Sequence, residues 1–130
     1  MRKGFFGMML LIVTSVLMIS CSSGSTDKNA KTILGEWVDV KIETYRDGEL
    51  IRTKVIENHD YYTYYDTGQA IVENPNGYIE FSSYTVQGNL IVVNVGGYVN
   101  VGIIKKLTKK ELIIITGGDN ETWQYFERVE

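Results

Sequence analysis

The sequence predicts an all-β fold, a small antiparallel up-and-down meander of eight or nine strands that closes into a barrel. Short runs rich in valine, isoleucine and tyrosine recur every eight to twelve residues, turn residues separate them, and no segment has a convincing helical period. The connections are two to five residues long, which permits only sequential antiparallel neighbours. A long meander has two exposed edges, and closure into a barrel removes both.

The strands follow from alternation and turn chemistry. In the first, Gly35–Tyr45, apolar residues alternate with Asp39, Lys41 and Glu43, which is typical of a strand with one wet face. An Asp-Gly turn at 46–49 follows, and later turns at 66–68, 74–77, 87–89, 96–97, 108–111 and 117–121 are also rich in Gly, Asn, Asp or polar residues. The strands between them are Leu50–Glu57, His59–Tyr65, Gln69–Glu73, Tyr78–Val86, Leu90–Val95, Tyr98–Leu107, Leu112–Thr116 and Thr122–Val129.

The start of the chain has the pattern of a secretory signal. Arg2 and Lys3 precede an apolar run at 5–19, which is shorter than the roughly 20 residues of a membrane span. The run ends in Met-Ile-Ser-Cys at 18–21, which resembles the bacterial lipobox, although Met18 stands where leucine is commoner. The resemblance implies that Cys21, the only cysteine, receives a diacylglycerol and that its new amino group is acylated, with palmitate as a typical chain. The alternatives are an ordinary signal peptide or a transmembrane anchor.

These features divide the chain into a signal peptide (1–20), a flexible tether of small polar residues (21–32) and one domain (33–130). Ser22 after the cysteine implies an outer-membrane lipoprotein of the cell envelope, with the periplasmic and surface faces both open. All 16 acidic residues but only 11 of the 13 basic ones follow residue 20, so that part has a net charge of −5. Such a charge offers no electrostatic footprint for nucleic acid.

Four segments, in this order, resemble the lipocalin-like domains common in lipoproteins of Bacteroidetes. They are Leu-Gly-Glu-Trp at 34–37, the hairpin sequence at 84–93, the next hairpin at 103–115 and the closing strand at 123–129, which ends in aromatic-x-Arg. The resemblance covers Ile33–Val129. It implies a lipocalin-like β-barrel, structural roles for Gly35, Trp37 and Arg128, and binding of a small, largely apolar molecule. The helix after the barrel and the disulfide of longer lipocalins are absent from this sequence.

Trp37 poses a problem of side-chain direction. In lipocalins the corresponding tryptophan packs across the closed end of the barrel. Simple alternation would place Trp37 on the side of Asp39 and Lys41, away from Val38 and Val40. Either a bulge or bend after Trp37 switches the side-chain alternation, or the tryptophan packs below the barrel mouth, and we favour the first.

The tyrosine-rich stretch 60–70 has two faces, one with Tyr61 and Tyr65 and the other with Tyr62 and Tyr64. One pair can simply fill the barrel, or it can line a ligand cavity. The residues expected to face a ligand are Tyr62, Tyr64, Tyr84, Tyr98, Trp123 and Tyr125. A competing hypothesis is a filled barrel that binds an envelope protein, because the aliphatic residues of the strands at 90–116 occupy both faces.

Asp66-Thr67-Gly68 matches the triplet that carries the catalytic aspartate of aspartic proteases. Such catalysis needs two carboxylates that share a proton, so one copy would serve only in a homodimer. Asp and Gly are also ordinary turn residues, and we assign Asp66 and Gly68 to a structural turn. His59 is the only histidine. A zinc site needs three or four ligands, so this histidine is not enough to form one. We expect no metal, no cofactor and no enzymatic activity.

Overall fold

The computed structural model describes residues 24–130. The expected signal peptide (1–20) and Cys21 lie outside the described residues. The elements are α1 (Gly24–Thr32), β1 (Gly35–Arg46), β2 (Glu49–Val55), β3 (Tyr61–Tyr64), β4 (Gln69–Glu73), β5 (Ile79–Gln87), β6 (Leu90–Val95), β7 (Tyr98–Leu107), β8 (Glu111–Thr116) and β9 (Glu121–Arg128). The predicted all-β class is confirmed, with strand bounds close to those expected.

The strands form a closed antiparallel barrel. Each strand from β3 to β9 pairs with the next, β3 pairs with β1, and β9 returns to pair with β1, so that eight strands close the ring. One end, here called the base, has the β3–β4, β5–β6 and β7–β8 turns and the entry into β1. The other end, here called the mouth, has the β4–β5, β6–β7 and β8–β9 turns. The closed ring and its core lie wholly within the described residues.

The ninth strand, β2, continues the line of β3 along the same edge of β1. Val55 of β2 pairs with Lys41, and Tyr61 of β3 pairs with Val38. Between them the Ile56 amide donates to the carbonyl of Val40 at 3.0 Å, so the chain does not reverse direction. The sequential pairing predicted for these two strands is therefore wrong. All seven residues of β2 are exposed, since β2 pairs only with β1.

A bulge in β1 resolves the direction of Trp37. Asp39 pairs with Phe126 of β9 and Lys41 pairs with Tyr125, so Val40 is an extra residue between consecutive partners. Before the bulge Trp37 and Asp39 are buried, and after it Thr44 is buried on the same inner side. The predicted switch after Trp37 is confirmed.

The base of the barrel is a packed core. Trp37, Ile33 and Leu112 are completely buried there. The remaining buried hydrophobic residues of the core are Tyr64, Ala70, Tyr84, Val86, Ile91, Ile104, Ile114 and Phe126. The Trp37 indole nitrogen donates to the carbonyl of Ile33 at 2.8 Å, so its polar atom is satisfied inside the core.

Arg128 holds the base together. Its guanidinium carbon lies 4.3 Å from the centre of the Trp37 ring, and its nitrogens donate to the carbonyls of Leu34 at 2.7 Å and Thr32 at 2.5 Å. Gly35 leaves the space for this contact, because a Cβ there would lie 2.6 Å from Nη1 of Arg128 and the backbone has a φ of 116°. Gly35, Trp37 and Arg128 thus form one structural unit, in which planar stacking and forked donors require arginine.

Residues 24–32, expected to be part of a flexible tether, instead form α1. The helix lies against the base: Asn29 Nδ2 donates to the carbonyl of Gly88 at 2.7 Å, and Ala30 packs against the core. The segment is polar, so its helical state depends on docking rather than on an apolar stripe. No helix within residues 24–130 is long and apolar enough to cross a bilayer.

Trp37→Ala should lower the free energy of unfolding by about 3–5 kcal/mol, because it leaves a large cavity at the base and removes the stacking surface of Arg128. Urea unfolding followed by far-ultraviolet circular dichroism measures the loss. Trp123→Ala is the matched control, because Trp123 is only partly buried, and its loss should be less than half as large. Equal losses in the two variants would contradict the placement of Trp37 in the core.

Candidate ligand-binding cavity

The mouth half of the barrel contains a cavity of about 660 Å³. Ile91 and Ile114 form its floor over Gly102, where an added Cβ would lie 2.6 Å from Cγ2 of Ile114 and 3.3 Å from Cγ2 of Ile91. The absence of a side chain at 102 lets these two residues close the packed base below the cavity.

The lining is mainly apolar with a few polar groups. The apolar residues and glycines are Ala70, Ile71, Val72, Ile91, Val93, Val95, Val99, Val101, Gly102, Ile114, Gly117 and Phe126. The polar groups are Tyr62, Tyr64, Glu80, Ser82, Asn100, Thr116 and Gln124. This composition is the usual one for small-molecule sites, in which a few polar groups orient an otherwise apolar ligand.

Tyr62 and Tyr64 project into the barrel from β3 and line the cavity. The Tyr62 ring packs edge-on against Phe126 with centroids 5.1 Å apart, and Tyr64 packs edge-on against Tyr84 at 5.0 Å. Burial raises the pKa of both phenols well above the ordinary value, so both are neutral.

The two hydroxyls have no side-chain or backbone partner within residues 24–130. Every completely buried polar side-chain atom of those residues has a hydrogen-bond partner, so the two hydroxyls are not sealed in the protein and must reach accessible space. That space is the cavity, which both residues line. Each hydroxyl is therefore available to a ligand as a donor or an acceptor.

A buried carboxylate, Asp39, lies beside this wall. Its Oδ1 accepts a hydrogen bond from the Asp60 amide at 2.9 Å and lies 3.9 Å from Nδ1 of His59. Burial raises the pKa of Asp39, and the neighbouring negative charge of Asp60 adds to the rise. The charges of Asp39, Asp60 and Glu80 also raise the pKa of Tyr62, after burial, which places all three carboxylates near that phenol.

The structure separates the six residues expected to face a ligand. Tyr62 and Tyr64 line the cavity, whereas Tyr84 is part of the core and donates to the carbonyl of Tyr65 at 2.8 Å. Tyr98 is at the start of β7 near the mouth and is 78% exposed.

The inward orientation expected for Trp123 and Tyr125 is wrong. Gln124 and Phe126 of the same strand line the cavity, and strand alternation turns Trp123 and Tyr125 outward. On the outer face the Tyr125 hydroxyl donates to Glu43 at 2.5 Å and Trp123 packs on Tyr45 with centroids 5.1 Å apart. The Tyr125 hydrogen bond is the main cause that lowers the pKa of Glu43.

Asp66 and Gly68 form the β3–β4 turn at the base. Gly68 has a φ of 89° and its amide donates to the carbonyl of Tyr65 at 3.1 Å, so the backbone conformation favours glycine. Asp66 is exposed. Within residues 24–130, no group of three His, Cys, Asp or Glu side chains is placed to hold a metal ion.

Sequence reasoning missed the polar lining residues Glu80, Ser82, Asn100, Thr116 and Gln124. Two of these residues could have been predicted, because side-chain alternation on β5 places Glu80 and Ser82 on the same face as Tyr84, which was expected to point inward. No comparable signal marks Gln124, because the direction of β9 depends on its pairing with the bulged β1.

Comparison with known proteins identifies the fold. No protein-family model and no curated protein matches the chain. Among solved structures, a lipocalin-like protein from Bacteroides uniformis ATCC 8492 is similar, with a TM-score of 0.59 and 15% sequence identity over 75% of this chain and 99% of that chain. The likeness confirms a lipocalin-like barrel.

Asp39→Asn should stabilise the protein more at pH 8 than at pH 4. The folded state holds the Asp39 proton more tightly than the unfolded state, so wild-type stability falls as the pH rises from the ordinary carboxyl pKa through the raised one. Asparagine keeps an acceptor for the Asp60 amide and has no such loss.

Urea unfolding of both proteins at the two pH values measures this difference. A stability difference between variant and wild type that is independent of pH would contradict a raised pKa of Asp39 in the folded protein.

Proposed function

We propose that the protein is a membrane-anchored lipoprotein whose lipocalin-like barrel binds a small, largely apolar molecule without transforming it. The observation that carries the proposal is the cavity of about 660 Å³ above a packed floor. Its volume falls within the roughly 300–1,000 Å³ typical of small-molecule sites. The lipocalin-like fold supports the same function through analogy alone.

The chemistry of the lining supports binding rather than catalysis. The valine and isoleucine side chains offer apolar surface, while the free hydroxyls of Tyr62 and Tyr64 offer a polar anchor. His59 is bound to the backbone of Asp39, with its Nδ1 2.6 Å from the carbonyl oxygen. Asp66 is in the turn at the opposite end of the barrel. The described cavity therefore lacks an arranged nucleophile and base.

The sequence around Cys21 supports the membrane anchor, and the position of α1 is compatible with it. The helix begins three residues after Cys21 and docks on the base of the barrel. A lipid at Cys21 would lie near the closed end and leave the mouth free. Acyl chains contribute about 0.8 kcal/mol for each buried methylene, so two or three of them would hold the protein durably in the outer membrane.

A protein partner in the envelope is the second candidate, and one observation favours it. Val99, Val101 and Ile103 on the outer face of β7 are each about half exposed or more, next to the exposed Leu90 of β6. Contiguous exposed apolar residues are typical of an interaction surface.

Val93→Phe should weaken binding of the neutral fluorescent probe N-phenyl-1-naphthylamine by about tenfold or more, because the larger ring fills the cavity. Val92→Phe is the matched control, because Val92, the neighbour of Val93 on β6, pairs with Val101 and Thr85 on the outer face. This variant should leave the affinity for the probe unchanged. Fluorescence titration of residues 22–130, which contain the whole closed barrel, measures both.

Equal affinity for the probe in all three proteins would show that the probe does not bind in the cavity. Absence of binding to any of them would favour the partner-binding barrel instead.

Cys21→Ser should abolish acylation and move the protein out of the membrane fraction. Labelling of cells with radioactive palmitate, followed by membrane fractionation, tests both effects, with Ser22→Ala as the control that keeps the cysteine. A variant that stays in the membrane without its cysteine would contradict lipid anchoring.

A further inference from the structure

We infer that the cavity selects amphiphilic cations, molecules with an apolar body and a positively charged amino group, an inference that rests on the proposed ligand binding. The one charged side chain among the cavity-lining residues that the structure describes is Glu80. A ligand that enters the cavity therefore meets a negative charge and no positive one.

Glu80 is placed to contact a ligand rather than to stabilise the protein. It pairs with Val72 on β4, which in turn pairs with Tyr62 on β3, so Glu80 and Tyr62 occupy inner positions on either side of Val72. It makes no ion pair with another described residue. A half-buried carboxylate without a partner favours a cation that can approach it.

Two further carboxylates give the same wall a negative potential. Asp39 is buried behind Tyr62, and Asp60 adjoins it with its amide bonded to Asp39. His59 is the nearby basic group, and its Nδ1 is 3.9 Å from Oδ1 of Asp39. An anionic head group would meet this potential without a positively charged partner among the lining residues, and like charges without compensation disfavour binding.

The free hydroxyl of Tyr64 is an independent observation that points to a ligand. The residue is only 6% exposed, it lines the cavity, and its hydroxyl has no partner among the described residues. The hydroxyl can accept a hydrogen bond from an ammonium group. The rings of Tyr62, Tyr64 and Phe126 around the site add attraction for a cation where it lies over their faces.

The lysine and arginine side chains of residues 24–130 do not line the cavity. Lys41 is on the outer face, 4.2 Å from the centre of the Tyr125 ring and 3.6 Å from Glu43. Lys106 pairs with Glu111 at 2.6 Å near the base, and Arg128 stacks on Trp37 beneath the core. None of these lines the cavity, so a carboxylate ligand such as a fatty acid finds no ion-pair partner there.

Three probes of equal chain length test the inference: decylamine, decanol and decanoate, each used below its micelle concentration to displace N-phenyl-1-naphthylamine from residues 22–130 at pH 7. Decylamine should bind about tenfold tighter than decanol, and decanoate should bind more weakly than decanol. This ranking is measured on the wild-type protein and so does not depend on the folding of any variant.

Two variants locate the charge that matters. Glu80→Gln, which keeps the size of the side chain, should reduce the affinity of decylamine to about that of decanol and leave decanol unchanged. Glu73→Gln removes an equal charge from the exposed side of β4, where Glu73 pairs with Tyr61, and should preserve the ranking.

Decanoate that binds as tightly as decylamine, or a decylamine preference that survives in Glu80→Gln, would overturn the inference while leaving ligand binding intact. Failure of decylamine to displace the bound probe would also overturn the inference and leave ligand binding intact. Failure of the probe itself to bind the wild-type protein would overturn the proposed function, and the charge preference with it.

Discussion

The stack of Arg128 on Trp37 is the interaction on which the barrel depends. It joins the beginning of β1 to the end of β9, the two strands whose pairing closes the ring. The same guanidinium satisfies carbonyls of the segment that enters β1. This contact is at the base, where Trp37, Ile33 and Leu112 are completely buried.

The cavity results from a decrease in side-chain size from the base of the barrel to its mouth. Large side chains, including Trp37, Leu112 and Tyr84, fill the base. Above them, small residues such as Ala70, Ser82 and Gly102 occupy inner positions of three strands. Eight strands leave an interior just wide enough to be filled by side chains, so small inner residues leave space. The sequence left open whether the barrel is filled with side chains or contains a cavity. The barrel is packed at the base and has a cavity towards the mouth.

Local rules were sufficient for most of the fold. Glycine and asparagine placed the turns within a residue or two, and the conflict at Trp37 favoured a bulge over a tryptophan packed below the mouth. The same bulge is the reason why the inward orientation predicted for Trp123 and Tyr125 is wrong. Their direction depends on how β9 aligns with β1, and strand register over such a distance in sequence leaves no local signature.

Two other errors have a common cause. The short connection between β2 and β3 predicted that they pair as sequential antiparallel neighbours, yet backbone hydrogen bonds to β1 keep the chain running in one direction. Residues 24–32 read as a tether because they are polar, yet their docking on the base makes them helical. In both cases tertiary contacts, not local preference, decide the structure.

The pairing of the first strand with the last also governs how the protein must fold. Glu43 and Tyr125, which meet across this seam, are 82 residues apart in sequence. Hairpins such as β4–β5 and β6–β7 can form early, whereas the seam must wait for nearly the whole chain and carries the highest entropic cost of closure. Until then the sheet has two open edges and no cavity. The cavity therefore exists only once the seam has closed, and a molecule that occupies it would hold the closed ring shut.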